Sequence, residues 1–191
     1  MSDGQQTDEL LARAANGDRE AFDRLFLQHR ALLKNVVDRR LDARVRARVD
    51  ASDVVQEAHL VAFQQLKAYV DRRPMSFRLW LIKTTLQRLQ KTHRFHLATQ
   101  ARAVGREVSL PEQSSMLLAD RLVDGGDSPC DEAQRNETSR HVREIIRSMS
   151  QADREILLFR LFEGLSNSEV ASLLSITPDA AKKRYARALQ R

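Results

Sequence analysis

Apolar positions recur along the chain at spacings of three and four, the signature of helices that bury one face. Phe22, Leu25, Phe26, Leu33, Val36 and Val37 form one such stripe. It follows an Asn16-Gly17 break, and Asp18 stands where an N-cap belongs. The next pattern predicts a third helix opening at Asp50, with Asp53 in the N3 capping position, and running to about residue 69. Its apolar set is Val54, Val55, Ala58, Val61, Ala62 and Leu66, and its polar face carries Asp53, Gln56 and Glu57. Pro74 interrupts, Ser76 supplies a cap, and a fourth helix is expected over residues 77–95.

Between residues 99 and 129 the periodicity fades, and Pro111, Gly125, Gly126 and Pro129 accumulate. This stretch reads as a linker with a short helix around residues 115–122. Periodicity returns at about residue 131. Ser150 with Asp153 opens a helix that Gly164 closes. Ser166 and Glu169 make a capping box for a short helix ending near Ser175. Thr177-Pro178 then supplies an N-cap and a proline at the first helical position. Two short helices joined by a three-residue turn have the layout of a helix-turn-helix. The predicted architecture is all-α: two small helical domains, residues 1–98 and 131–191, joined by a flexible linker over 99–130, the second a helix-turn-helix.

Composition agrees. Six Gly and four Pro in 191 residues are too few for an all-β chain with a turn every ten residues or so. The lone Cys130 excludes a disulfide framework and points to a reducing, cytoplasmic setting. No uncharged run approaches the roughly 20 residues that span a bilayer, and the polar, acidic N-terminus does not resemble a secretory signal.

The formal net charge of +6 is unevenly spread. Residues 72–106 hold nine Lys or Arg and no acid, and residues 180–191 hold five more bases without an acid. Between them, residues 107–137 carry eight acids against two bases. Two separated basic blocks suggest two surfaces for a polyanion.

The last helix has two readings. Ala181, Tyr185, Ala188 and Leu189 suit an inward face, with Asp179, Lys182, Lys183 and Arg187 outward. A solvated terminal hairpin explains the charges, but the cap-turn-cap spacing favours a helix that reads duplex DNA in the major groove. In the earlier basic block, cations alternate with Phe77, Trp80 and Phe95, with Tyr69 just upstream, the mixture that holds single-stranded DNA. Trp80 itself, with Leu79 and Ile82, better suits a buried stripe. Asp53, Gln56 and Glu57, on physical grounds alone, read as a helix start complementing its dipole.

Enzymatic constellations are not found: no phosphate-binding glycine loop, no H-E-x-x-H, no paired Cys. His93 and His96 lie three apart without a third ligand, in a basic setting that repels cations. Asp120, Asp124, Asp127 and Asp131 read as a solvated spacer. No cofactor, metal or membrane is expected, and no enzymatic activity.

The segments DASDVVQEAHLVAFQQL (50–66), FRLWLIKTTLQRLQ (77–90) and REILLFRLFEGLSNSEVASLLSITPDAAKKRYARAL (154–189), in this order, resemble the extracytoplasmic-function class of bacterial RNA polymerase sigma factors. The resemblance covers about three-quarters of the chain. It implies a non-enzymatic subunit that binds core RNA polymerase and directs it to promoters. Asp53, Gln56 and Glu57 would then dock on the β′ clamp helices, displacing the dipole reading. The region from Tyr69 to Lys91 would read and melt the minus-ten element, with Arg78, Lys83, Gln87, Arg88 and Lys91 on the DNA. Thr177, Asp179, Ala180, Lys182, Lys183, Arg184 and Arg187 would read the minus-thirty-five element. Core polymerase, duplex and single-stranded promoter DNA, and an anti-sigma factor are the implied partners. The chain departs from the family at Gln87, where Asn is common, and at Asp179-Ala180-Ala181, where Gly-Thr-Val is common. The competing reading is a stand-alone regulator of the LuxR-like class, its N-terminal block sensing a signal or dimerising.

Overall fold

The computed structural model describes residues 3–98, 112–123 and 132–191, and every regular element among them is an α-helix. The chain divides into two compact units, Met1–Arg102 and Ala103–Arg191.

The first unit contains α1 (Asp3–Ala15), α2 (Arg19–Asp38), α3 (Ala43–Arg46), α4 (Ala51–Arg72) and α5 (Phe77–Ala98). Gly17 reverses the chain after α1 in the left-handed region (φ +96°), which a side chain would strain. Asp18 then caps α2 by accepting the Ala21 amide at 3.0 Å. The stripe on α2 is buried as its spacing demands, with Phe22, Leu25, Leu33, Val36 and Val37 showing no exposed surface. Each such side chain contributes about 1.5–3 kcal/mol of burial. Helix α4 opens with a reciprocal capping box. Asp50 accepts the Ser52 amide and Asp53 accepts the Asp50 amide, each at 3.0 Å. It ends where Arg73 turns left-handed (φ 37°), its guanidinium 2.7 Å from Asp8 of α1.

Helix α3 has no counterpart in the sequence reading, because a single turn is too short to show a period. Asp42 caps it through the Arg44 amide at 2.8 Å. The helix expected third is therefore the fourth.

The second unit contains α6 (Glu112–Val123), α7 (Glu132–Ser148), α8 (Gln151–Leu161), α9 (Asn167–Leu174) and α10 (Pro178–Leu189). Helix α6 lies inside the stretch read as linker. It packs on α7 and α8, with Leu118 and Ala119 fully buried. Pro111, Gly125, Gly126, Pro129 and Cys130 lie outside the described residues, as do Asp124, Asp127 and Asp131. The core of the unit is Ile146, Ile156, Leu157, Leu158, Phe159, Leu165 and Val170. Gly164 (φ +64°) turns the chain after α8.

Candidate functional site

On α4, the box that starts the helix leaves Asp53, Gln56 and Glu57 exposed on one side, opposite the buried Val54, Val55 and Ala58. Asp53 has a structural duty as well, since its carboxylate holds the Asp50 amide. Beside this strip, two leucines break the rule that large apolar groups go inside: Leu27 of α2 is 66% exposed and Leu60 of α4 is 51% exposed. A groove of about 230 Å³ runs between the helices, lined by Asp23, Phe26, Leu27, Arg30, Val55, Gln56 and His59. His59 Nε2 reaches Asp23 at 2.7 Å, and its ring meets Phe26 edge-on at 4.7 Å. The sequence reading missed Leu27, Leu60 and the groove. Their signal was leucine at positions out of phase with the stripe.

On α5, the cations and the aromatics part company. Lys91 is exposed, Arg78, Lys83 and Arg88 are half-buried, and Gln87 faces solvent. Tyr69, Phe77 and Trp80 are buried together. Tyr69 stacks on Trp80 at 4.4 Å and donates its hydroxyl to the Met75 carbonyl at 3.0 Å. Burial holds the Tyr69 phenol above its usual pKa. These three rings hold α4 against α5 and offer no face to a base, which corrects the expectation for Tyr69 and Phe77 that they interleave with the cations. Trp80 belongs to the core, as its stripe implies. Phe95 is the exception, 75% exposed.

The two histidines weighed as metal ligands separate. His93 is buried and its Nε2 accepts the Asp42 amide at 3.2 Å, while His96 meets Phe95 edge-on at 5.1 Å. Burial pushes the His93 pKa down, opposed by the nearby Asp42 carboxylate. Among the described residues no three His, Cys, Asp or Glu are grouped to hold a metal.

In the second unit, Ser166 and Glu169 form the expected box, with the Ser166 amide 2.8 Å from Glu169 Oε2. Ser175 takes a left-handed conformation (φ 55°) and Ile176 closes the turn by donating to Ala171 at 3.0 Å. Thr177 Oγ1 accepts the Ala180 amide at 3.2 Å and Pro178 opens α10. Ala181 and Ala188 pack inward, and the Arg160 guanidinium lies 5.1 Å from the Tyr185 ring centre. Leu189, expected inside, is 47% exposed near the chain end. Thr177, Asp179, Lys182, Lys183 and Arg187 face solvent, while Ala180 and Arg184 are half-buried. Asp179 pairs with Lys183 at 2.8 Å. The outward side of α10 is thus cationic beyond its first turn, as phosphate contact requires.

These elements define a two-part helical protein whose second part carries a helix-turn-helix. Comparison with known families agrees: residues 25–97 match Sigma-70 region 2, and residues 139–191 match Sigma-70, region 4. The chain is 30% identical over 190 residues to the ECF RNA polymerase sigma factor SigD of Mycobacterium tuberculosis, covering 98% of this chain and 82% of that one. It is 26% identical over 185 residues to the RNA polymerase sigma-H factor of Pseudomonas aeruginosa, covering 96% and 90%. A solved structure of CnrH in complex with the cytosolic domain of CnrY shares the fold at a TM-score of 0.60 and 21% identity, covering 97% of this chain and 93% of that chain. The chain belongs to the extracytoplasmic-function class of RNA polymerase sigma factors, and as such binds core RNA polymerase and promoter DNA. The stand-alone regulator is not favoured, because the block it would use for sensing is sigma region 2. No helix among the described residues is long and apolar enough to cross a membrane.

Proposed function

We propose that the two units divide initiation between them without catalysis, in the cytoplasm. Asp53, Gln56 and Glu57 dock on the β′ clamp helices, with the groove beside Leu27 and Leu60 widening that interface. Arg78, Lys83, Gln87, Arg88 and Lys91 engage the minus-ten element as it melts. The helix from Thr177 through Arg187 reads the minus-thirty-five element, with Lys182, Lys183, Arg184 and Arg187 on phosphate and Asp179 and Ala180 at the base edges. CnrH is known bound to the cytosolic domain of CnrY, and an inhibitory anti-sigma factor is the corresponding partner proposed here. The carrying observation is that the exposed part of α5 holds cations and no acid within the region 2 match.

Opening about ten base pairs breaks stacking worth about 1.4 kcal/mol per step, so the displaced strand needs compensating interactions. Neutralising Lys83, Arg88 and Lys91 should therefore impair open-complex formation more than closed-complex binding. Permanganate reactivity of unpaired thymines measures this on a native promoter, with a mismatched, pre-opened template as control. The pre-opened template should restore initiation. Normal opening together with failed polymerase docking would place the basic block on polymerase instead.

A further inference from the structure

Helix α6 belongs to neither family match, since residues 25–97 and 139–191 leave it between them. It is nevertheless seated, on α7 and α8 of the second unit. Its inward face is Ser114, Ser115, Leu118 and Ala119, all buried, with Leu122 half-buried beyond them. That spacing is one helical stripe. Small side chains let helices approach closely but bury little apolar surface. Among the described side chains of α6, Leu118 is the one large apolar group fully enclosed. The ion pair from Arg143 to Asp120, at 3.4 Å, is partly exposed and adds little. One leucine therefore carries most of the hold.

The docking matters because it sets the length of chain between the two units. With α6 seated, residues 99–111 connect α5 to the second unit, and 13 residues reach at most about 50 Å. With α6 released, the connection is residues 99–131, and 33 residues reach about 120 Å. Promoter spacing is felt within that range. Three added base pairs carry a second DNA site about 10 Å along the duplex and more than a quarter turn around it. A short tether follows such a move poorly, and a long one follows it easily.

We propose that Leu118 is a positioning residue for promoter selection. By seating α6 on α7 and α8 it keeps the tether short and confines the chain to a narrow range of distances between the two promoter elements. The inference rests on the assignment of the minus-ten element to the first unit and the minus-thirty-five element to the second. A longer tether serves more spacings and serves each less well, because effective concentration falls roughly as the −3/2 power of length. Lengthening from 13 to 33 residues lowers it about four-fold.

The test uses holoenzyme reconstituted with the full chain and a promoter selected by transcription of fragmented genomic DNA. That promoter is rebuilt with its spacer lengthened or shortened by one to five base pairs, and transcripts are counted at each length. Leu118→Asp releases α6, which hydrogen exchange verifies: the amides of α6 open while those of α8 stay protected. A second variant keeps α6 seated and inserts twenty flexible residues between Gly105 and Arg106, matching the released length. Both variants should fall about four-fold below the parent at its best spacing and exceed it three or more base pairs away, so that the profiles cross. Leu118→Met should keep the parent profile. A loss at every spacing, with no crossing, is damage to the fold alone and overturns the proposal. So does the parent profile in Leu118→Asp with α6 open, or in the insertion variant, since polymerase rather than the tether then sets the distance. If Leu118→Asp opens α8 as well, the insertion variant decides. If the parent itself transcribes equally at every spacing, the assignment of two elements to two units falls, and the proposal with it.

Discussion

Asp53 shows how one side chain serves the fold and the surface together. Its carboxylate closes the box at the start of α4, so Asp53→Ala removes a cap worth about 0.5–2 kcal/mol as well as the charge proposed to dock. Gln56 and Glu57 have no such duty in the capping box. A Gln56→Ala, Glu57→Ala double variant should keep the parent melting temperature within a few degrees and lose core-polymerase binding in a pull-down. Undiminished binding by the folded double variant would remove these residues from the docking face. His93 supplies a second residue-scale prediction. Its folded pKa lies below the unfolded value of about 6.5, because burial disfavours the imidazolium and Nε2 already accepts an amide proton. The unfolded chain then binds more protons as pH falls below about 6.5, so this contribution is complete above that pH and is lost below it. The loss has a slope of at most about 1.4 kcal/mol per pH unit. His29, lowered by burial and by Arg78, acts in the same direction, whereas the depressed carboxylates of Asp18, Asp42 and Asp50 matter only at more acid pH. His93→Gln keeps an acceptor for the Asp42 amide without titrating. Its denaturation midpoint should fall less than the parent's between pH 7 and pH 5, and an equal fall would exclude His93 as a source.

At the scale of elements, α10 carries the sharpest expectation. Replacing Lys182, Lys183 and Arg187 with Ala should weaken duplex binding and reduce the log–log salt slope by roughly 0.9 for each phosphate no longer neutralised. Lys183 also pairs with Asp179, an exposed bridge worth little, so its removal should register in binding rather than in stability. An unmoved slope would mean that another element holds the DNA. The elements most legible in the sequence were those with a chemical start and stop: the Asp50, Ser166 and Thr177 caps and the Gly164 turn all stand where the sequence puts them. Helix α3 escaped because one turn has no period. Exposure was harder to read than helicity. Tyr69 and Phe77 look like part of a nucleic-acid mixture in one dimension, and only packing between α4 and α5 shows that they are buried with Trp80, which its own stripe already placed inside. Leu27 and Leu60 carry the converse lesson, since an apolar residue out of phase marks a surface that composition cannot reveal.

The described residues form two hydrophobic cores, one in each unit, the first around Phe22, Leu33 and Ile82 and the second around Ile156, Leu157 and Phe159. Phe159→Ala removes about 3–5 kcal/mol from the second unit, a large share of what a domain of that size has to lose. The groups proposed to dock on polymerase all lie in the first. Such a variant is expected to lose its promoter-directed transcripts while still co-purifying with core polymerase, and loss of both together would show that the cores fail as one. The division of cores therefore has a genetic consequence. A lesion in the helix-turn-helix unit would produce an occupant of polymerase that leads it nowhere, so the damaged allele should act in trans, sequestering enzyme from intact copies. A lesion in the first core should be silent in the same cell, because a chain that cannot dock cannot compete.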